Sequence, residues 1–160
     1  YSYTKRFTAL CHFVLGLGLS LAPIGAYLAV TAEFALTPLL FSILVLFWVS
    51  GFDIIYALQD DQFDLSQKLK SVPVLLGRKG ALLLSQILHL AAAILVTYIG
   101  LYNNFPASYW FGGILFIGLL IYQHSLVKPH DLRKVDMAFF TTNGIASVSY
   151  AIFVIWTLLS

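Results

Sequence analysis

Apolar residues in this chain come in long, nearly unbroken runs rather than in the alternating or stripe-like patterns of half-buried elements. A helix needs about 20 mostly apolar residues to cross the hydrocarbon core of a bilayer. Five segments reach that length, at about 9–30, 37–59, 80–101, 107–127 and 137–159, and the polar stretches lie between them. The pattern predicts an all-α integral membrane protein of five transmembrane helices packed as a single domain over 1–160.

Composition agrees with this reading. The chain is 60% hydrophobic and 10% charged, whereas a soluble domain carries about 25% charged residues. A lipid bilayer is the partner such a surface requires, and no nucleic-acid partner is expected. The single cysteine, Cys11, excludes an internal disulfide and a zinc site built on several thiolates. Its apolar neighbours point to packing. The first apolar run is too long for a signal-peptide core, and the chain opens on Tyr, so it reads as part of a longer protein.

All nine Lys and Arg residues fall in three places: Lys5 and Arg6; Lys68, Lys70, Arg78 and Lys79; and Lys128, Arg133 and Lys134. The connections around 31–36 and 102–107 carry none. Positive charge favours the cytoplasmic side, which puts the N-terminus and both basic loops there. Tyr102, Tyr109, Trp110 and Trp156 would form an aromatic belt on the opposite side.

Against this background the stretch GFDIIYALQDDQFD is unusual, because it holds four of the seven acidic residues, Asp53, Asp60, Asp61 and Asp64. Each residue of a helix turns about 100°, so Asp53, Tyr56, Asp60 and Asp64 share one narrow stripe, with Asp61 about 80° away from it. Asp60 and Asp64 are one turn apart, about 6 Å along the axis, close enough to share a hard cation or to hold two adjacent ones. A carboxylate at membrane depth costs at least about 2.5 kcal/mol, so Asp53 is expected to face the bundle interior. Like charges at this spacing repel and call for a positive partner. An oxygen-only pair suits Mg²⁺, which takes its other ligands from water and substrate phosphates. The expectation is a Mg²⁺–diphosphate site at the cytoplasmic mouth of the bundle, with Asp61 merely solvating its loop.

The other polar residues have simpler expected roles. His12 and His89 are expected to make helix–helix hydrogen bonds, and His124 and His130 to be solvated. Arg78, Lys79, Arg133 and Lys134 fit topology and lipid-head contacts. Thr141, Thr142, Asn143, Gly144, Ser147 and Ser149 form a small, polar face suited to close helix packing, from which Asn143 would reach the cavity. Aromatic rings are numerous enough to shield a cation, without a single choice among them.

The run Tyr56-Ala-Leu-Gln-Asp60-Asp61-Gln-Phe-Asp64, followed by Lys70-Ser71, resembles the second aspartate-rich motif of the UbiA family of membrane prenyltransferases, YxxxDxxxD with a KS dipeptide after it. The opening Tyr1-Ser2-Tyr3-Thr4-Lys5-Arg6 resembles the tyrosine-and-basic loop before that family's fifth helix. Five spans then correspond to the second half of a nine-helix bundle. Within the family, GFDIIYALQD and the later Ala138-Phe139-Phe140 and Asn143-Gly144 are similar to the 4-hydroxybenzoate polyprenyltransferase group. The family's first motif, NDxxDxxxD, is absent from these 160 residues. The resemblance therefore implies a C-terminal portion that needs the upstream half of the same protein to complete its site and is inactive alone. Lys68 also departs from the family, standing where relatives often have Gly.

The resemblance implies Mg²⁺-dependent transfer of a polyprenyl group from an allylic diphosphate to an aromatic acceptor, 4-hydroxybenzoate, for ubiquinone or menaquinone synthesis in a bacterial inner membrane. It implies Asp60 and Asp64 as metal ligands, and Tyr1, Tyr3, Lys5, Arg6 and Lys70 as diphosphate contacts. Tyr56 and Asn143 would line the substrate pocket. Asp53 would be catalytic, orienting the acceptor or assisting its deprotonation. Relatives that prenylate naphthoates, chlorophyllides or haem would share Asp60 and Asp64. A cation transporter would instead carry acids along a path at mid-membrane depth, but here only Asp53 is set deeper than the mouth.

Overall fold

The computed structural model describes residues 2–160, Ser2 by its backbone alone. Six helices follow one another: α1 (Cys11–Thr31), α2 (Leu36–Tyr56), α3 (Asp61–Ser66), α4 (Val72–Tyr102), α5 (Ala107–Leu126) and α6 (Asn143–Leu159). Tight 3-10 turns at Ser2–Arg6 and Ala57–Asp60 precede α1 and α3, and a π-helical turn at Met137–Thr142 leads into α6. No strand occurs among the described residues. Five helical spans are long and apolar enough to cross a membrane: Cys11–Thr31, Leu36–Ser66, Val72–Tyr102, Ala107–Leu126 and Met137–Leu159. The chain is an integral membrane protein.

Local chemistry sets the helix ends. Pro38 and Pro73 occupy first turns, where a missing N–H costs nothing, and Pro106 stands just before α5. Ala32 closes α1 in the left-handed region (φ 56°), donating its N–H to the Leu28 carbonyl. Pro23 lies inside α1, and the next amide, Ile24 N–H, donates to Ser42 Oγ of α2 at 3.2 Å. A neighbouring hydroxyl is the usual remedy for a proline in a membrane helix. Gly77 (φ 68°, ψ 170°) breaks α4, so its long regular part starts at Arg78, close to the predicted 80.

Helix α2 is central, with α1 on one side and α4 on the other, while α5 pairs with α6. Gly51 lets α4 approach: a Cβ there would overlap the His89 ring, and Ser85 Oγ donates to the Gly51 carbonyl at 2.7 Å. Leu44, Val96, Ile99 and Phe116 form one core. Ile54, Ile55, Leu58, Val135 and Ala138 form another. Tyr109 is not part of an aromatic belt. It is fully buried, donating its phenol to the Val96 carbonyl at 2.7 Å and lying 2.9 Å from the Tyr150 hydroxyl. Its position between α4 and α6 explains this, whereas Tyr102 and Trp156 are exposed.

His89 makes the expected interhelical bonds, with Nε2 3.2 Å from the Trp48 carbonyl and Nδ1 2.9 Å from His124 Nε2. A carbonyl only accepts, so His89 carries its proton on Nε2 and His124 must donate to its Nδ1. His124 is therefore a helix-contact residue, not a solvated one. On the last span Thr142 and Asn143 are buried and Ser149 is half-buried, but Thr141, Gly144 and Ser147 are exposed. Ser149 donates back to the Ile145 carbonyl at 2.6 Å, so among the described residues only part of this face, Thr142 and Asn143, is packed.

The basic connections gather at the end of the bundle that carries Asp60 and Asp64. Lys70 N–H donates to the Lys5 carbonyl at 2.6 Å, and Gln59 Nε2 to Asp136 Oδ1 at 2.9 Å.

Candidate functional site

The acidic segment is not one continuous helix. α2 stops at Tyr56, the 3-10 turn Ala57–Asp60 intervenes, and α3 resumes at Asp61. A 3-10 turn winds with about 3.0 residues instead of 3.6, which shifts the helical phase. The single stripe is thereby split by depth: Asp53 is 3% exposed and Asp64 1%, while Asp60 is exposed.

A cavity of about 390 Å³ opens at this level, lined by Lys5, Tyr56, Ala57, Asp60, Phe63, Asp64 and Leu69. It unites Tyr56, Asp60 and Asp64 with a lysine from the far side of α1. Lys5 Nζ lies 2.9 Å from Asp64 Oδ2, with side-chain exposures of 14% and 2%. The ammonium is the positive partner that buried Asp64 requires. Among the described residues no three His, Cys, Asp or Glu side chains converge as a metal-binding group.

Arg6 lines an adjoining hollow of about 350 Å³ with Phe63, Gln67, Lys68 and Leu69, two of which it shares with the first cavity. Its guanidinium sits 5.1 Å above the ring of Tyr3, a cation–π contact. Tyr1 lies outside the described residues. Lys70 is turned elsewhere: its Nζ donates to the Phe7 carbonyl at 3.1 Å, and it lines neither hollow. Lys68 adopts φ 56°, a left-handed conformation that glycine takes up more readily than a residue with a side chain.

Asp53 lies deeper and does not line the carboxylate cavity. Its Oδ2 is 2.6 Å from His12 Nδ1, and Val72 N–H donates to His12 Nε2 at 3.3 Å. Asp61 does not simply solvate its loop. Arg78 grips it in bidentate fashion, Nε to Oδ2 at 2.5 Å and Nη2 to Oδ1 at 3.1 Å, tying α3 to the start of α4's regular part. Beyond the spans, the Arg133 guanidinium holds the Asp131 carboxyl well below the usual carboxylate range.

The π turn settles which rings surround Tyr56. Phe139 stacks on it with centroids 4.1 Å apart and planes 24° from parallel, and Phe140 meets its edge at 5.8 Å. Nothing in the residue order announces a π turn, so this wall was invisible beforehand. Asn143 is 7% exposed, and neither polar atom of its amide has a hydrogen-bond partner among the described residues. It does not line the carboxylate cavity.

Residues 1–145 match the UbiA prenyltransferase family. The 4-hydroxybenzoate octaprenyltransferase of Tolumonas auensis is 32% identical over 151 residues, 94% of this chain and 52% of that protein. The protein of that name in Aliivibrio salmonicida is 31% identical over 143 residues, 89% of this chain and 50% of its own. An apo structure of a UbiA homolog from Aeropyrum pernix K1 matches with a TM-score of 0.84 and 28% identity, covering 98% of this chain and 58% of that one. The chain spans about half the length of the curated relatives it matches. Sequence match and shared fold agree: the chain belongs to the UbiA prenyltransferase family.

Proposed function

We propose that this chain carries the second acidic motif of an enzyme that transfers a polyprenyl group from an allylic diphosphate to an aromatic acceptor. The names of its relatives favour 4-hydroxybenzoate over naphthoate, chlorophyllide or haem. One observation carries the reading: Lys5 and Asp64 pair inside a cavity that Asp60 and Tyr56 also line. Two carboxylates and an ammonium around one hollow suit a diphosphate head accompanied by a divalent cation.

The donor set fits Mg²⁺, an oxygen-seeking ion that binds through one or two carboxylates and fills its shell from water and phosphate. Asp60 and Asp64 would hold it, and when bound it supplies Lewis acidity to the departing diphosphate. Lys5 offers its ammonium to phosphate oxygens in exchange for the carboxylate, and Arg6, Tyr1 and Tyr3 extend that grip. The allylic C–O bond breaks with its electron pair leaving on the diphosphate. Tyr56, backed by Phe139, turns a π face toward the positive carbon. The acceptor ring attacks through carbon and then loses its proton. Lipid takes the prenyl tail. The acidic end faces the cytoplasm of a bacterial inner membrane, as the clustering of basic connections supports. Helices upstream of this chain complete the cavity with further ligands.

The test is prenyl transfer to 4-hydroxybenzoate by the full-length protein in detergent. Product is expected with Mg²⁺, none with EDTA, and none from Asp60→Ala or Asp64→Ala. Metal-dependent turnover surviving in both variants would remove the assignment.

A further inference from the structure

We propose that Asp53 and His12 form a buried positioning couple, which holds the Lys5–Arg6 segment and the start of α4 against the Asp60–Asp64 cavity without touching substrate. The idea rests on the prenyl-transfer reading above.

The couple is buried. His12 is 0% exposed and Asp53 3%. Val72 N–H points at His12 Nε2 (3.3 Å), so that nitrogen accepts and the ring proton sits on Nδ1, donated to Asp53 Oδ2 at 2.6 Å. Both imidazole nitrogens are thereby engaged. A general base must reach the substrate proton directly or through one water. Asp53 stands outside the cavity wall, with Oδ2 committed to α1.

Two routes lead from the couple to Lys5. Along the chain, His12 is the second residue of α1, and the segment before it carries Lys5 and Arg6. Ser50 Oγ donates to the His12 carbonyl at 3.3 Å, fixing that helix end to α2. Across the chain, Val72 follows Lys70 and Ser71. Lys70 N–H donates to the Lys5 carbonyl at 2.6 Å, and Lys70 Nζ to the Phe7 carbonyl at 3.1 Å. The imidazole thus pins two segments that together set where the Lys5 ammonium stands. Lys70 joins this scaffold rather than the diphosphate grip.

Asparagine and leucine separate positioning from catalysis. Asp53→Asn keeps an acceptor oxygen for the Nδ1 proton but abolishes basicity, whereas Asp53→Leu and His12→Leu break the couple. His12→Gln retains one donor and one acceptor. The assay uses full-length protein with Mg²⁺, farnesyl diphosphate and 4-hydroxybenzoate, with rates normalised to the monodisperse fraction. His12→Leu and Asp53→Leu should raise the donor KM at least about tenfold while kcat stays within about threefold. The double variant should be no worse than either single one, because the two residues act as one unit. His12→Gln should restore the donor KM, and Asp53→Asn should keep kcat within about tenfold, against the 10²- to 10⁴-fold loss typical of a missing base.

A hundredfold or greater fall in kcat for Asp53→Asn at unchanged KM overturns the proposal, as does a wild-type donor KM in His12→Leu. If the leucine variants do not fold, Asp53→Asn and His12→Gln still decide. Failure of the prenyl-transfer reading shows separately, as absence of product from the wild type. Equilibrium binding of farnesyl diphosphate with Mg²⁺ then tests the couple alone, with weaker binding expected in His12→Leu and not in Asp53→Asn.

Discussion

The Lys5 ammonium lies 2.9 Å from Oδ2 of Asp64, a carboxylate shut away from solvent, although 59 positions separate the two residues. Removing one member of a buried pair strands the other's charge, at about 3–5 kcal/mol. Lys5→Met should therefore lower the unfolding temperature of the full-length protein markedly. Adding Asp64→Asn should restore most of that stability while leaving prenyl transfer absent. Thermal unfolding alongside product assays checks both halves, and a Lys5→Met protein as stable as wild type would contradict the pairing.

Asp60 should behave differently from its neighbour. It is exposed, so Asp60→Asn should change stability by no more than about 0.5 kcal/mol. Turnover should still fall at least about a hundredfold, the scale seen when one preorganised electrostatic partner is lost. Denaturation and initial-rate measurements on the same preparation separate the two effects.

Lys68 holds φ 56°, where a side chain is strained by roughly 1–2 kcal/mol. Lys68→Gly should leave stability unchanged or raise it by up to about 1 kcal/mol, since glycine's greater unfolded-state freedom offsets part of the relief. Lys68→Val should destabilise. Comparing the unfolding temperatures of the two variants tests the backbone geometry directly.

Gly51 marks the closest approach of α2 to α4. The His89 ring that a new Cβ would strike is held by hydrogen bonds to Trp48 and His124, so it has little freedom to retreat. Gly51→Ala should cost about 1–3 kcal/mol, the usual penalty of overpacking. Gly18, with open space around it, should accept alanine without loss.

Hydropathy made the five spans legible, because a helix in lipid must satisfy its own backbone and cover itself in apolar side chains. The acidic pair was legible too, since charges are rare enough in this chain for two aspartates four apart to stand out. Partners distant in sequence were not. Nothing near Asp64 announced Lys5, and nothing near Asp53 announced His12, 41 positions earlier. Asp61 looked like loop solvent because Arg78, its bidentate partner, lies beyond the next turn. Periodicity also assumed one unbroken helix, so it carried Asp53 onto the same face as Asp60 and missed the 3-10 turn between them.

The π turn at Met137–Thr142 makes segment length as important as side-chain chemistry. Such a turn is equivalent to one additional residue lodged within an ordinary helix. Excising a single position there would close the wide turn to ordinary α winding and leave one side-chain position fewer in the stretch from which Phe139 and Phe140 reach Tyr56. Phe139 would then be carried off the face of Tyr56. Equal-length replacements in this stretch should be tolerated far more readily than a one-residue gap, even at a position whose side chain meets only lipid.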